Sequence, residues 1–538
     1  MEDIMGLKKS VSAILTLCII LFASFTFAQE LTDNIVVDQF GYREQARKIA
    51  VIRVPQIGPD APSIYNPGTQ FQVINSVNGN VVHTGAPVSF RGGETDAASG
   101  DRIWHFDFSA VTSPGRYYVL DVTNNVRSFP FDIANGVYDD VLRAAVKYFY
   151  YQRAGVAKLA QYAGEDWADG MQFEQDRQTR DWFNRNDRSR DRDLSGAWYD
   201  AGDYNKYTKW TSDYISEMLL MYEENPAAFS DDYGIPESGN GVPDILDEVV
   251  WGLNWLLRMQ NDDGSMLSVQ GLAGGYGDGT GSPPSRVTAV SYYGPPNATA
   301  TFGAVRAFAI ASRVFGDHGA VNYAERLKTA AVKAWEWGIA NPDSMFSNNT
   351  ASNGSAGLAA GNQEIIDNEH TTGRVENMVT AAWFLYELTE DPSLLQIVED
   401  NLKRFPLFAW WQFMDQYRHS SHMLYMRYIN DPRGSQALKN EIRSMLIAAF
   451  TRNDDFNSPN GYASDGYRAF MKAYPWGSNR DKGHYGLTFY KWHSMVDQTV
   501  DANEFRERAE GYLHYIHGVN PFNMVYLTNM ITSAHRGV

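Results

Sequence analysis

The 538-residue chain has a single cysteine, in a place a mature protein would not keep. Cys18 lies inside an apolar run, residues 11–27, that follows Lys8 and Lys9 and leads to Thr26-Phe27-Ala28. A basic start, an apolar middle and a small-residue exit make a cleavable export signal over residues 1–28. Leu17 is too large for the residue that precedes a lipoprotein cysteine. The run is near the length of a membrane span, and no later stretch is apolar enough to cross, so no membrane contact is expected after cleavage. Without the signal the chain has no cysteine. A disulfide and a thiolate nucleophile are thereby excluded, although the expected destination is secreted or periplasmic.

Basic runs are missing too. The formal charge is −18, from 64 acids against 46 bases, and no stretch tracks phosphates, which argues against nucleic acid as a partner. No G-x-S-x-G elbow, G-x-x-x-x-G-K loop or H-E-x-x-H helix occurs, so serine hydrolase, nucleotide and zincin readings lose their usual support. Aromatics, in contrast, make up 14% of the chain, with 14 Trp and 31 Tyr. Flat rings on an acidic protein suit a neutral, polar, ring-shaped ligand, and they serve large helical cores equally well.

The length is too great for one hydrophobic core, and the pattern changes once along the chain. Residues 34–133 carry about seven short runs rich in Val, Ile, Tyr and Phe, at 35–37, 48–54, 71–74, 81–84, 103–108, 116–122 and 128–133. Turn signals such as Asn66-Pro67-Gly68 and Ser113-Pro114-Gly115 separate them, which predicts an immunoglobulin-like β-sandwich. From Tyr138 the period is helical, beginning with one long helix over 138–163. About ten more are expected, near 207–224, 243–260, 298–315, 320–340, 374–388, 393–405, 407–429, 435–451, 485–500 and 502–517. Long polar connections at 264–296 and 343–368 read as functional rims.

Chemistry concentrates in residues 193–207, DLSGAWYDAGDYNKY. Asp200 and Asp203 stand three apart across Ala-Gly. They read either as a turn residue and a helix N-cap or as a carboxylate pair at the lip of a helix. A calcium loop starting at Asp191 fails, because its twelfth position is Gly202, which has no carboxylate. Two histidine pairs, His419/His422 and His514/His517, have metal-compatible spacing, yet no third ligand converges in sequence and no metal site is assigned. Trp410-Trp411, Trp476 and Trp492 are candidate sugar platforms or helix-packing residues.

The string DLSGAWYDAGDYNKY resembles the signature of family 9 glycoside hydrolases, the inverting cellulase family. IPESGNGVPDILDEVVWGLNWLLRMQ at 235–260, YPWGSN at 474–479 and GVNP at 518–521 are similar to later blocks of that family, in the same order. The sandwich matches the immunoglobulin-like module of one of its branches. The resemblance implies an (α/α)6 barrel over 138–538 and inverting hydrolysis of β-1,4-glucan or a related β-glycan. It implies that Asp203 is the general base and Asp200 its partner in holding water. Trp198, Tyr199, Trp476, His535 and Arg536 are the expected substrate contacts, no cofactor is required, and a structural calcium is compatible. The family's general acid is a glutamate well beyond the GVNP block, and no acidic residue follows Glu510 here. The expectation is therefore a barrel incomplete at its C-terminal end. The alternative functions are a catalytically impaired sugar-binding fragment, or an exo-acting β-glycosidase on cello- or glucosamine oligosaccharides.

Overall fold

Short alternating apolar runs build the first part of the chain. The computed structural model describes residues 29–272, 282–359, 371–404, 419–452, 465–474 and 477–530. Eleven strands lie in its first 137 residues: β1 (Glu30–Leu31), β2 (Ile35–Val36), β3 (Gly41–Tyr42), β4 (Ile49–Pro55), β5 (Phe71–Asn75), β6 (Val81–Gly85), β7 (Val88–Ser89), β8 (Asp101–Asp107), β9 (Gly115–Asp121), β10 (Val126–Arg127) and β11 (Phe131–Ile133). One sheet runs β2-β4-β8-β7, and the other is built around β9, which pairs with β5, β10 and β11. Strand β4 is buried along its whole length, as suits a central strand, and β8 opposes it antiparallel from Ile49↔Asp107 to Pro55↔Asp101. Ile52 and Phe106 from one sheet meet Phe71, Val119 and Phe131 from the other in a single core, which makes the sandwich.

The chain divides into two compact units, and the strand-bearing one also takes in 465–467 and the segment from His514 onward. The Tyr467 hydroxyl bonds to buried Asp101, which also pairs with Arg53. Asp38, fully buried, accepts N–H bonds from Phe40 and Gly41 and lies 3.0 Å from His517 Nδ1 and 3.9 Å from His514 Nε2. His514 and His517 are therefore core residues bound to a carboxylate.

The second unit, 138–464 with 468–513, is helical. Its helices are α1 (Asp139–Gln152), α2 (Ala160–Ala163), α3 (Thr208–Glu224), α4 (Asp244–Met259), α5 (Ala298–Asp317), α6 (Val321–Ala340), α7 (Thr371–Thr389), α8 (Pro392–Asn401), α9 (His419–Asn430), α10 (Gln436–Arg452), α11 (Ser478–Met495) and α12, which starts the run Ala502–Ile516. Packing alternates along the chain. Helices α3, α5, α7, α9 and α11 touch one another in succession, while α4, α6, α8 and α10 pack on α3, α5, α7 and α9. Burial explains the layering: α5 is buried on all sides, but α6 buries only the stripe Ala324, Leu327, Ala330, Ala331, Ala334 and Gly338. This is the double layer expected of an α/α barrel.

Three sequence expectations change. The helix over 138–163 stops at Gln152, because the next residues pair with a loop: Arg153 bridges Trp198, and Ala154 N–H donates to Ala197 O at 2.8 Å. The helix expected from 485 begins at Ser478, its polar first turn having hidden it. The connection 264–296 is not all loop. It supplies β14 (Val269–Leu272) and β15 (Ser291–Tyr293), which join β12 (Arg180–Asp181) and β13 (Lys206–Tyr207) in the order β12-β15-β14-β13.

Candidate active site

The stretch 193–207 has almost no regular structure of its own until β13 and α3 follow it. Asp193 opens it with a side-chain turn, its Oδ1 accepting from Ser195 N (3.0 Å) and Ser195 Oγ (2.6 Å). Gly196 then takes φ +106°, a region that favours glycine, and Ala197 takes φ +59°. Tyr199 N–H donates to Gln152 O at 3.0 Å, so the stretch runs antiparallel to the residues that end α1. A tight loop closes above: Asp200 N–H reaches Asn205 O (2.9 Å) and Tyr204 N–H reaches Ala201 O (3.0 Å). Ala201 and Gly202 are exposed at its tip, with Asp200 and Asp203 half-buried beside them.

Asp203 Oδ1 accepts only the N–H of Asn205, at 3.3 Å, and no hydrogen bond reaches the carboxylate of Asp200 among the described residues. Burial, and next the charge of Asp203, push the Asp200 carboxyl up to about 6. Burial and the charge of Asp200 likewise push up the hydroxyls of Tyr148 and Tyr214. Both phenols therefore stay protonated and able to donate. An under-bonded carboxylate pair at an exposed tip, next to protonated phenols, can take a proton from a water and hold that water. A cavity of about 480 Å³ is lined by Phe173, whose ring packs on Tyr199 and Tyr204, and by Gln175, Arg180 and Val290, and its lining includes neither aspartate.

The neighbouring aromatics face inward. Trp198 is 4% exposed and Tyr199 9%. Trp198 Nε1 donates to Glu248 Oε2 at 3.2 Å, and its ring meets Phe149 edge-on at 5.1 Å. It fits against α4 only because Gly252 has no side chain: a Cβ there would stand 2.4 Å from the indole. Tyr199 packs edge-on against Tyr204 and donates to Tyr151 O. Both were expected as substrate contacts from the family resemblance; in the structure both are buried and most of their surface is spent on holding the loop. Trp492 is likewise a core residue, stacked on Phe450 at 4.2 Å. Trp476, His535, Arg536 and Trp410-Trp411 lie outside the described residues, as do the side chains of His419 and His422.

One further carboxylate group was not visible as a motif. Asp231, Asp244 and Asp247 each bring an oxygen within 4.8 Å of the others. Asp244 is fully buried; its Oδ2 accepts from Tyr233 N (2.5 Å) and Ser238 Oγ (2.7 Å), while its Oδ1 is buried without a donor. An orphaned buried carboxylate oxygen beside two more carboxylates fits a hard cation such as calcium.

A β-sandwich, a two-layered helical unit and an acidic surface loop together define a glycoside hydrolase of the cellulase type. The chain belongs to glycosyl hydrolase family 9, whose pattern matches residues 138–537, and residues 30–126 match the cellulase N-terminal ig-like domain. It is 24% identical to Endoglucanase D of Acetivibrio thermocellus, over 98% of this chain and 77% of that protein. It is 26% identical to a Cellodextrinase of Butyrivibrio fibrisolvens, over 92% of this chain and 84% of that protein. Among solved structures, a metagenome-derived family 9 endoglucanase superposes with a TM-score of 0.76 at 27% identity, covering 94% of this chain and 86% of that one.

Proposed function

We propose that the protein is a secreted or periplasmic enzyme that hydrolyses β-1,4-glucan with inversion, using Asp203 as general base and Asp200 to hold the attacking water. The observation that carries this reading is the coupled, under-bonded pair on one exposed loop, with Asp200 raised to about 6. Relatives named as endoglucanases and a cellodextrinase support β-1,4-glucan as the substrate class. The layered helices are read as an (α/α)6 barrel with the loop at one end. Substrate contacts at Trp476, His535 and Arg536 rest on the family resemblance.

Inversion needs water activated on one face of the sugar and a protonated acid on the other, roughly 6.5–9.5 Å away. The resemblance puts that acid well beyond the GVNP block, and no acidic residue follows Glu510 in this sequence. The base half can be examined by itself. A 2,4-dinitrophenyl β-cellobioside loses a phenolate that needs no proton, so its hydrolysis depends on water activation alone. The expected result is dinitrophenol release with α-cellobiose as the first product by NMR, abolished in Asp203→Asn. A first product in the β form, or full activity in Asp203→Asn, contradicts the reading. Export predicts that the mature protein begins at Gln29, which N-terminal sequencing checks. No helix among the described residues is long and apolar enough to cross a membrane.

The fit at Asp231, Asp244 and Asp247 supports one structural calcium. It would tie the 230–244 loop to the start of α4, with no part in the chemistry.

A further inference from the structure

Three consecutive carbonyls precede Trp198, and each is taken by a side-chain donor, two from α4 and one from β13. Arg258 Nη1, at the end of α4, donates to Ser195 O. Lys206 Nζ, in β13, donates to Gly196 O at 3.1 Å. Trp251 Nε1, in the middle of α4, donates to Ala197 O at 3.0 Å. Lys206 matters most in this set. It comes three residues after Asp203, and its side chain crosses under the loop to a residue four before Asp200. It therefore ties the incoming and outgoing ends of the carboxylate loop together.

The tie is built into the core. Lys206 is 3% exposed and Asp176, its ion-pair partner at 2.6 Å, is 2% exposed. The backbone of Lys206 is fixed by pairing with Gln270 in β14. Asp176 O accepts the N–H of Leu194 at 2.9 Å, so the pair also holds the start of the stretch. A chain that turns through two successive residues at positive φ does not keep that path unaided. A buried cation with its counter-ion is costly to place unless it is fully used. Here the use is to hold a carbonyl of the catalytic loop.

Resting on the assignment of Asp203 and Asp200 above, we propose that Lys206, with Asp176, and Trp251 are positioning residues that set the carboxylate pair through the Gly196 and Ala197 carbonyls. None of them touches substrate. Their effect is on how well the water is aligned, and misplacement by about 1 Å costs on the order of 10²-fold in rate.

The experiment uses the full chain and the dinitrophenyl cellobioside. Trp251→Phe removes one N–H and keeps the ring. Lys206→Met combined with Asp176→Asn removes both buried charges, so neither is left unpaired. The expected result is a kcat lower by about 10- to 100-fold with KM within about twofold and a melting midpoint within about 4 °C of the parent. The acid limb of the kcat profile should also move, because the spacing of Asp200 from Asp203 changes. Folded variants with unchanged kcat and pH profile overturn the proposal. So does a kcat loss matched by a large fall in melting midpoint, which would make these residues supports of the fold alone. Asp203→Asn in the same assay separates the two readings. If it is fully active, the site assignment fails and this proposal fails with it. If it is dead while the other variants are normal, only the positioning roles fail.

Discussion

Two groups of neighbouring carboxylates in the helical unit are bonded in opposite ways. At Asp231, Asp244 and Asp247 the oxygens are fed by donors: Gly239 N and Gly241 N on Asp231 (2.6 Å each), Tyr233 N and Ser238 Oγ on Asp244, and Asn240 Nδ2 on Asp247 (3.1 Å). At the other pair a single backbone N–H, that of Asn205, reaches Asp203, and none reaches the Asp200 carboxylate among the described residues. Donors fix a carboxylate and work to lower its basicity, but burial outweighs them at Asp244, which is pushed up, and at Asp247, which is pushed up to about 6, so the two groups differ in how firmly their oxygens are held rather than in proton affinity. The contrast in bonding is what the proposed roles rest on: fixed oxygens for holding an ion, unheld oxygens for meeting a water. It also shows where the bonds around the 193–207 stretch went. They are spent on the Ser195, Gly196 and Ala197 carbonyls below it, not on the carboxylates at its tip.

The largest expected effect breaks the proton-moving side of the comparison. Asp203→Asn should lower kcat on the dinitrophenyl cellobioside by about 10²–10⁴-fold, the usual range for a general base. Circular dichroism and the melting midpoint should stay close to the parent, because the side chain has one long hydrogen bond to lose. A loss under tenfold would move the base elsewhere.

Asp200→Asn should cost less, because it removes the partner and keeps the base. Its effect on pH is more telling. Asp200 is neutral below about pH 6 and charged above it. The parent's kcat should rise with pH through about 6, and that limb should vanish or shift in Asp200→Asn. Stability should go the other way. The folded state raises the affinity of this carboxyl for its proton, so its contribution favours folding at low pH. That contribution is lost as pH rises from the unfolded value near 4 through about 6. Asp200→Asn is therefore expected to raise the melting midpoint at pH 7 but not at pH 4. A difference in melting midpoint between variant and parent that is the same at pH 4 and pH 7 contradicts the burial of a strained charge at this loop.

Much of this was legible in the sequence. The alternating apolar runs located the strands of the sandwich, and the change of period at Tyr138 located the first helix. The spacing in DLSGAWYDAGDYNKY singled out Asp200 and Asp203 as a candidate pair. What sequence could not show was support made through the backbone. Lys206 and Arg258 look like surface cations in the sequence, because a bond to a carbonyl leaves no partner residue to notice. Strands of two to four residues, such as β13 and β14, are too short to show a period, so the sheet beneath the site passed as loop. The inward packing of Trp198 was hidden for a related reason: the place that Gly252 clears for the indole is made by a residue 54 positions away in the chain.

The smallest expected effect probes the ion-binding side. If Asp231, Asp244 and Asp247 hold calcium, removing it with a chelator should lower the melting midpoint by several degrees, and added calcium should restore it in proportion to its concentration. Magnesium should restore it poorly, since it dehydrates reluctantly and demands a tighter shell than a loop with flexible oxygen ligands supplies. Asp247→Asn keeps the volume and the contact with Asn240 but removes one charge, so it should abolish the calcium response while leaving kcat within about twofold, as expected for a surface change away from the chemistry. The same calcium addition should leave the pH limb assigned to Asp200 in place. If calcium instead moved that limb, the two carboxylate groups would be linked, and the division between holding an ion and moving a proton would have to be redrawn at the 230–244 loop.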